Sequence, residues 1–149
     1  MEIAESPLNQ KTVVEVMFNK CFGGFQVSQE AVDKYILIKK MTGVDMSNVD
    51  VFSLPRGIDR TDEVMIEIVK ELGEKANCKY SEIKIKSFPY KYKDYIEIGE
   101  YDGYESAEVN FKAYKLETIK KICFDSNEIN QEAKLIKIME ILQENEDES

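Results

Sequence analysis

Two adjacent glycines, Gly23 and Gly24, separate two incompatible periodicities. Before them, Lys11 to Asn19 alternates and is rich in valine, the period-two pattern of a strand. After them, Ser28 is a good helix N-cap and Glu30 suits the positive end of the helix dipole. Val32, Tyr35, Ile36 and Lys39 then recur on one face, with Ile38 beside it, predicting a helix over 29–41 that stops near Gly43. The chain must therefore reverse its pattern across Asn19–Ser28. It does so while presenting a thiol, Cys21, and two rings, Phe22 and Phe25. That stretch is a shaped strand-to-helix loop.

Residues 43–60 lack periodicity and hold Gly43, Asn48, Pro55 and Gly57, so a long connection is expected. Connections of that length inside a domain are often functional. Thr61 or Asp62 caps a second helix, whose stripe is Val64, Ile68 and Leu72, with Met65 and Val69 adjoining. Gly73 lies near its end, and the pattern runs on to Ala76. Three strand patterns follow: 81–88 ended by Pro89, 95–101, and 104–111 after an Asp102-Gly103 hairpin turn. The remainder reads as helix over 116–123 and 128–143. Ile129, Ala133, Ile136, Met139 and Leu142 form the apolar side of the longer piece. The implied class is α+β: an antiparallel β-meander with an added N-terminal strand and helices packed on one face. Residues 1–10 read as a flexible N-terminal arm, 11–143 as one domain and 144–149 as an acidic C-terminal tail.

Composition narrows the chemistry. The 149 residues are 43% hydrophobic and 33% charged, enough for both a core and a polar surface. A net charge of −9 argues against wrapping nucleic acid, which needs bases to neutralise phosphates, and fits basic partners. The terminal acids Glu140, Glu144, Glu146, Asp147 and Glu148 read as a solvated helix end and tail. Histidine is absent, which removes Ser-His and Cys-His nucleophiles and the commonest metal ligand. Cys21, Cys78 and Cys123 are widely spaced and form no Cys-x-x-Cys pair, so no disulfide framework, metal site or cofactor is expected. No apolar run nears the roughly 20 residues of a membrane span, and the first residues lack a signal-peptide pattern. A reducing cytoplasm is the expected compartment.

Three segments carry candidate chemistry. Backbone N–H groups around Gly23-Gly24 suit an anion, although the loop lacks the third glycine of a dinucleotide fingerprint and the Gly-Lys-Ser/Thr of a P-loop. The plainer reading is a tight turn with Phe22 and Phe25 in the core. Arg56 and Arg60 are the only arginines, and both fall in the long connection. They offer planar forks for carboxylate or phosphate. The plainer reading pairs Arg60 with Asp62 or with an acid of the meander. Glu100, Tyr101, Asp102, Gly103, Tyr104 and Glu105 put acids and rings at a hairpin tip. Acid–base work or a hard cation is one reading and turn chemistry the other. Seven of the eight tyrosines fall between Tyr80 and Tyr114, available either for stacking or for lining a sheet.

Together these segments resemble a family of small uncharacterised proteins from bacteriophages and large DNA viruses. The matching residues are Cys21-Phe22-Gly23-Gly24-Phe25-Gln26-Val27-Ser28, Arg60-Thr61-Asp62, Val69-Lys70-Glu71-Leu72-Gly73 and Glu100-Tyr101-Asp102-Gly103-Tyr104-Glu105. Glu63 departs from the proline that often follows the aspartate in that family. The resemblance implies a viral setting, the infected-cell cytoplasm or the virion, and no mechanism. The expected function is a non-enzymatic accessory protein that binds a protein partner or a small anionic ligand. Its binding residues would be Cys21, Phe22, Gly23, Gly24, Phe25, Arg56, Arg60, Tyr101, Asp102 and Tyr104. The alternatives are an enzyme acting on a nucleotide or other phosphorylated substrate, and a self-associating virion or assembly component.

Overall fold

The computed structural model describes residues 11–128 and 130–144. The expected arm over 1–10, the apolar role of Ile129 and the tail over 145–149 lie outside the described residues. In chain order the elements are strand β1 (Val13–Asn19), helix α1 (Gln29–Met41), a one-turn helix α2 (Leu54–Gly57) and helix α3 (Glu63–Leu72). Strand β2 (Ile83–Pro89), strands β3 (Ile96–Tyr101) and β4 (Tyr104–Val109), and helices α4 (Phe111–Cys123) and α5 (Gln131–Gln143) follow. Short 3-10 turns cover Gly73–Ala76 and Tyr90–Tyr95.

Side-chain alternation makes β1 the hinge of the architecture. Met17 points to one face and packs with Val32 and Tyr35 of α1, with Met65, Ile68 and Val69 of α3, and with Ile83. Val14, Val16 and Phe18 point to the other face and meet Phe88, Ala107 and Val109. The β1–β2 ribbon is thus a central layer, with α1 and α3 on one side and the β3–β4 hairpin on the other. Burial of a full Val, Leu, Ile, Phe or Met side chain stabilises by about 1.5–3 kcal/mol, so both clusters are substantial. Capping fixes the helix starts. The Ser28 hydroxyl accepts from Ala31 N and the Asp62 carboxylate accepts from Met65 N.

The class is α+β with antiparallel pairing, as the patterns indicate. The details differ in four places. First, β2 pairs with β1, from Val13 opposite Pro89 to Asn19 opposite Ile83, and β3 pairs with β4, giving two two-stranded sheets in place of a continuous meander. The 3-10 turn at Tyr90–Tyr95 is the cause: it buries Tyr92 and redirects the chain between β2 and β3. Second, the helices do not share one face, since Phe111 and Tyr114 of α4 join the hairpin-side cluster. Third, α4 begins at Phe111, not 116, because Asn110 ends β4 and caps the helix by accepting from Ala113 N. Fourth, the connection over 43–60 contains α2, with Pro55 in its first turn.

Candidate functional site

The three segments singled out by sequence meet at one end of β1. Asn19, the last residue of β1, is fully buried. Its side-chain amide donates to the Cys21 carbonyl at 2.7 Å and the Gly103 carbonyl at 2.9 Å, and its Oδ1 accepts from Glu82 N at 2.9 Å. One side chain thereby ties the glycine loop, the hairpin tip and the approach to β2. Asn19 N in turn donates to Glu105 Oε1 at 2.9 Å.

Glu105 completes the junction. Its buried carboxylate receives Arg60 in a two-pronged pair, Nη1 to Oε1 at 2.6 Å and Nη2 to Oε2 at 2.9 Å. Charge-assisted bonds of this fork geometry are about twice as strong as neutral ones. The guanidinium also lies 3.6 Å from the centroid of the Phe25 ring, which is buried beneath it. Arg60 is held from its backbone as well, because its carbonyl accepts from Met17 N at 2.8 Å. The segment before α3 is rigid for a local reason. Asp59 accepts from the Thr61 hydroxyl at 2.6 Å and from Thr61 N at 2.8 Å. These bonds hold the Asp59 carboxyl below its ordinary range.

The glycines are required by contact. A Cβ on Gly23 would come within 2.1 Å of the Tyr80 carbonyl oxygen. A Cβ on Gly103 would come within 2.4 Å of Gly24 N. The hairpin tip therefore sits backbone-to-backbone on the double glycine. Asp102 and Gly103 both have positive φ, 49° and 84°, the backbone of a primed hairpin turn. Glu100 steadies the turn by accepting from Gly103 N at 2.9 Å.

Around this seam the rings face outward. Phe22 is 64% exposed, Tyr80 61% and Tyr101 80%. Phe22 stacks on Tyr104 with centroids 5.2 Å apart, and Tyr101 is the cross-strand partner of Tyr104. The plain expectation that Phe22 and Phe25 both enter the core thus holds for Phe25 and fails for Phe22. Beside the rings lies a cleft of about 250 Å³ lined by Gly23, Gly24, Gln26, Arg56, Lys79 and Ser81, among others. Arg56 is exposed there, and its Nε and Nη2 each reach Gln26 Oε1 at 3.3 Å. The cleft wall is fixed by the Ser81 hydroxyl, which donates to the Gln26 carbonyl at 2.6 Å and accepts from Cys78 N at 2.9 Å. Cys21 and Cys78 are free and half-buried, and both line a wider, open cleft of about 660 Å³.

The ten residues nominated from sequence are therefore brought together. Arg60, Phe25, Gly23 and Gly24 build the junction, and Asp102 forms the hairpin turn that rests on it. Phe22, Tyr101 and Tyr104 make an outer collar, with Arg56 at the cleft beside it and Cys21 on the wider cleft. Of the two plain readings of Arg60, the pairing with a hairpin acid is the one found. Three residues that organise the site, Asn19, Tyr80 and Glu105, are not among the ten. A polar Asn ending an otherwise valine-rich strand is the signal that marks Asn19. Among the described residues no group of three or more His, Cys, Asp or Glu side chains is placed to hold a metal ion. No helix among them is long and apolar enough to cross a membrane. Comparison with protein-family models, with curated proteins and with solved structures returned no match. The resemblance to viral proteins accordingly rests on the motif residues alone.

Proposed function

We propose that the protein is a binding module whose contact surface is the aromatic collar around Gly23-Gly24 together with the Arg56 cleft, and that its partner is a protein presenting an acidic side chain. The observation that supports this most is the seating of the hairpin tip on the double glycine, which gathers rings from separate segments into one exposed surface. Tyrosine, phenylalanine and arginine are the residue types that dominate interface energetics. Binding is preferred over chemistry because the acids of the hairpin have structural duties. Glu105 is engaged by Arg60 and Asn19, and Glu100 by Gly103 N. The viral accessory setting is part of the same proposal and rests on the same segments.

The test is capture of partners by tagged wild-type protein, followed by titration of the purified partner. Replacing Phe22, Tyr80 and Tyr101 together by serine is expected to weaken binding at least tenfold, since a single interface anchor is often worth more than about 1 kcal/mol. Undiminished affinity in that variant contradicts the proposal. A second reading, a small phosphorylated or carboxylate ligand, is favoured by Arg56 and Lys79 lining one cleft beside two glycines. It predicts a raised melting temperature with such a ligand and loss of that shift in Arg56→Ala/Lys79→Ala.

A further inference from the structure

The aromatic collar and the Arg56 cleft leave two half-buried thiols without a role. Cys21 and Cys78 lie far apart in sequence, and their spacing gives no sign that they meet. The fold brings both to one side of the β1–β2 ribbon. Lys20 N donates to the Glu82 carbonyl at 2.8 Å, which carries the strand register one step beyond Asn19 and Ile83 and sets Cys21 opposite Ser81. Side-chain alternation puts Cys21 on the face of Met17, toward α3. Cys78 is folded back on the same serine: its N–H donates to Ser81 Oγ at 2.9 Å, and its carbonyl accepts from Ser81 N at 3.3 Å. Each cysteine is thus one step from Ser81, across the ladder or along the turn, at about 4.5–7 Å per step. Both are free, and both line the cleft of about 660 Å³ beside Val69 and Lys70 of α3.

We propose that Cys21 and Cys78 are a thiol pair that closes to a reversible disulfide on meeting a small disulfide such as oxidised glutathione. Cys78 also opens on the smaller cleft with Arg56 and Lys79, whose charges favour an anionic reagent of this kind, so the exchange starts there. The Cys78 thiolate attacks one sulfur of the reagent. The reagent's S–S bond breaks, a mixed disulfide forms, and one glutathione leaves as its thiol with the proton that Cys78 gave up. The Cys21 thiolate then attacks the Cys78 sulfur. The Cys21–Cys78 bond forms, and the second glutathione leaves as its thiol with the proton from Cys21. Two protein thiols are oxidised and one reagent disulfide is reduced, so electrons and protons balance. A disulfide needs Cα atoms about 4.4–6.8 Å apart, so closure asks only for local adjustment around the turn over 77–81. The bond joins the glycine loop to that turn, where Gly23 already lies against Tyr80. The inference holds whether or not the aromatic collar is a contact surface.

Mass spectrometry after incubation with oxidised glutathione tests this in the Cys123→Ser chain, which lacks the exposed third thiol. The folded chain is expected to end lighter by two hydrogens, free of glutathione, with a peptide that joins Cys21 to Cys78. Dithiothreitol should restore both thiols. The same chain unfolded in urea should retain glutathione on at least one cysteine, because nothing then holds the two thiols near each other. Cys21→Ser/Cys123→Ser has no second thiol and should accumulate the mixed disulfide on Cys78. A folded chain that keeps glutathione on Cys21 or Cys78, leaves both thiols unreacted, or closes no more readily than the unfolded chain overturns the proposal. A Cys21→Ser/Cys123→Ser chain that gains no glutathione overturns Cys78 as the thiol that reacts first.

Discussion

Glu105 shows how one residue decides what its neighbours are for. Its carboxylate is 6% exposed as a residue and meets three donors, two from Arg60 and one from Asn19 N. Glu105 is buried and the Arg60 side chain is 23% exposed, so removing one partner strands a partly desolvated charge, at a cost of up to about 3–5 kcal/mol. Both Glu105→Ala and Arg60→Ala are therefore expected to lose stability on about that scale in urea titrations. The double variant should lose clearly less than the sum, because the second removal relieves the charge left by the first. Additive losses would mean that the pair is not coupled. The rarity of arginine in this chain made Arg60 conspicuous in the sequence. Sequence narrows its partner to Asp62 or an acid of the meander and cannot single out Glu105, which is 45 residues away and is brought near only by the packing of β4 over β1.

Among the elements, the α1–α3 pair has a titratable clasp. The Tyr35 hydroxyl of α1 donates at 2.8 Å to Asp62, the residue that caps α3. Burial, and then the bond to Asp62, pushes the Tyr35 hydroxyl up to about 12. An unfolded tyrosine titrates near 10. The folded state thus favours the protonated ring. That stabilisation is fully present below about pH 10 and is lost as pH rises toward about 12. Tyr35→Phe is expected to lower stability by about 1 kcal/mol at pH 8, and the gap from wild type should narrow by pH 11. A gap that is constant from pH 8 to pH 11 would contradict the clasp. The starts of α1 and α3 were legible because capping is local chemistry, carried by Ser28 and Asp62 themselves. The start of α4 was missed although Asn110 is a cap of the same kind. The alternating pattern of Glu105, Ala107 and Val109 runs straight into Phe111, and periodicity masks the cap.

Across the whole molecule, sequence conveyed class and missed connection. Strand alternation identified β1 to β4 as half-buried surfaces, which is the information a period of two contains. It could not say that β2 would join β1 in place of β3, since that depends on Tyr92 entering the core and turning the chain. The site followed the same division. Its outer rings and glycines were visible as unusual residues, whereas the junction beneath them depends on contacts across 84 and 86 residues of sequence. The central claim is that the glycine loop, the arginine segment and the Asp-Gly hairpin behave as one unit. Gly103→Ala probes it directly, because the added methyl group would press on Gly24 N, at a cost of about 1–3 kcal/mol. Hydrogen–deuterium exchange of that variant is predicted to quicken in 19–27 and 57–62 as well as in the hairpin, with α4 unchanged. Faster exchange confined to 96–109 would contradict the account.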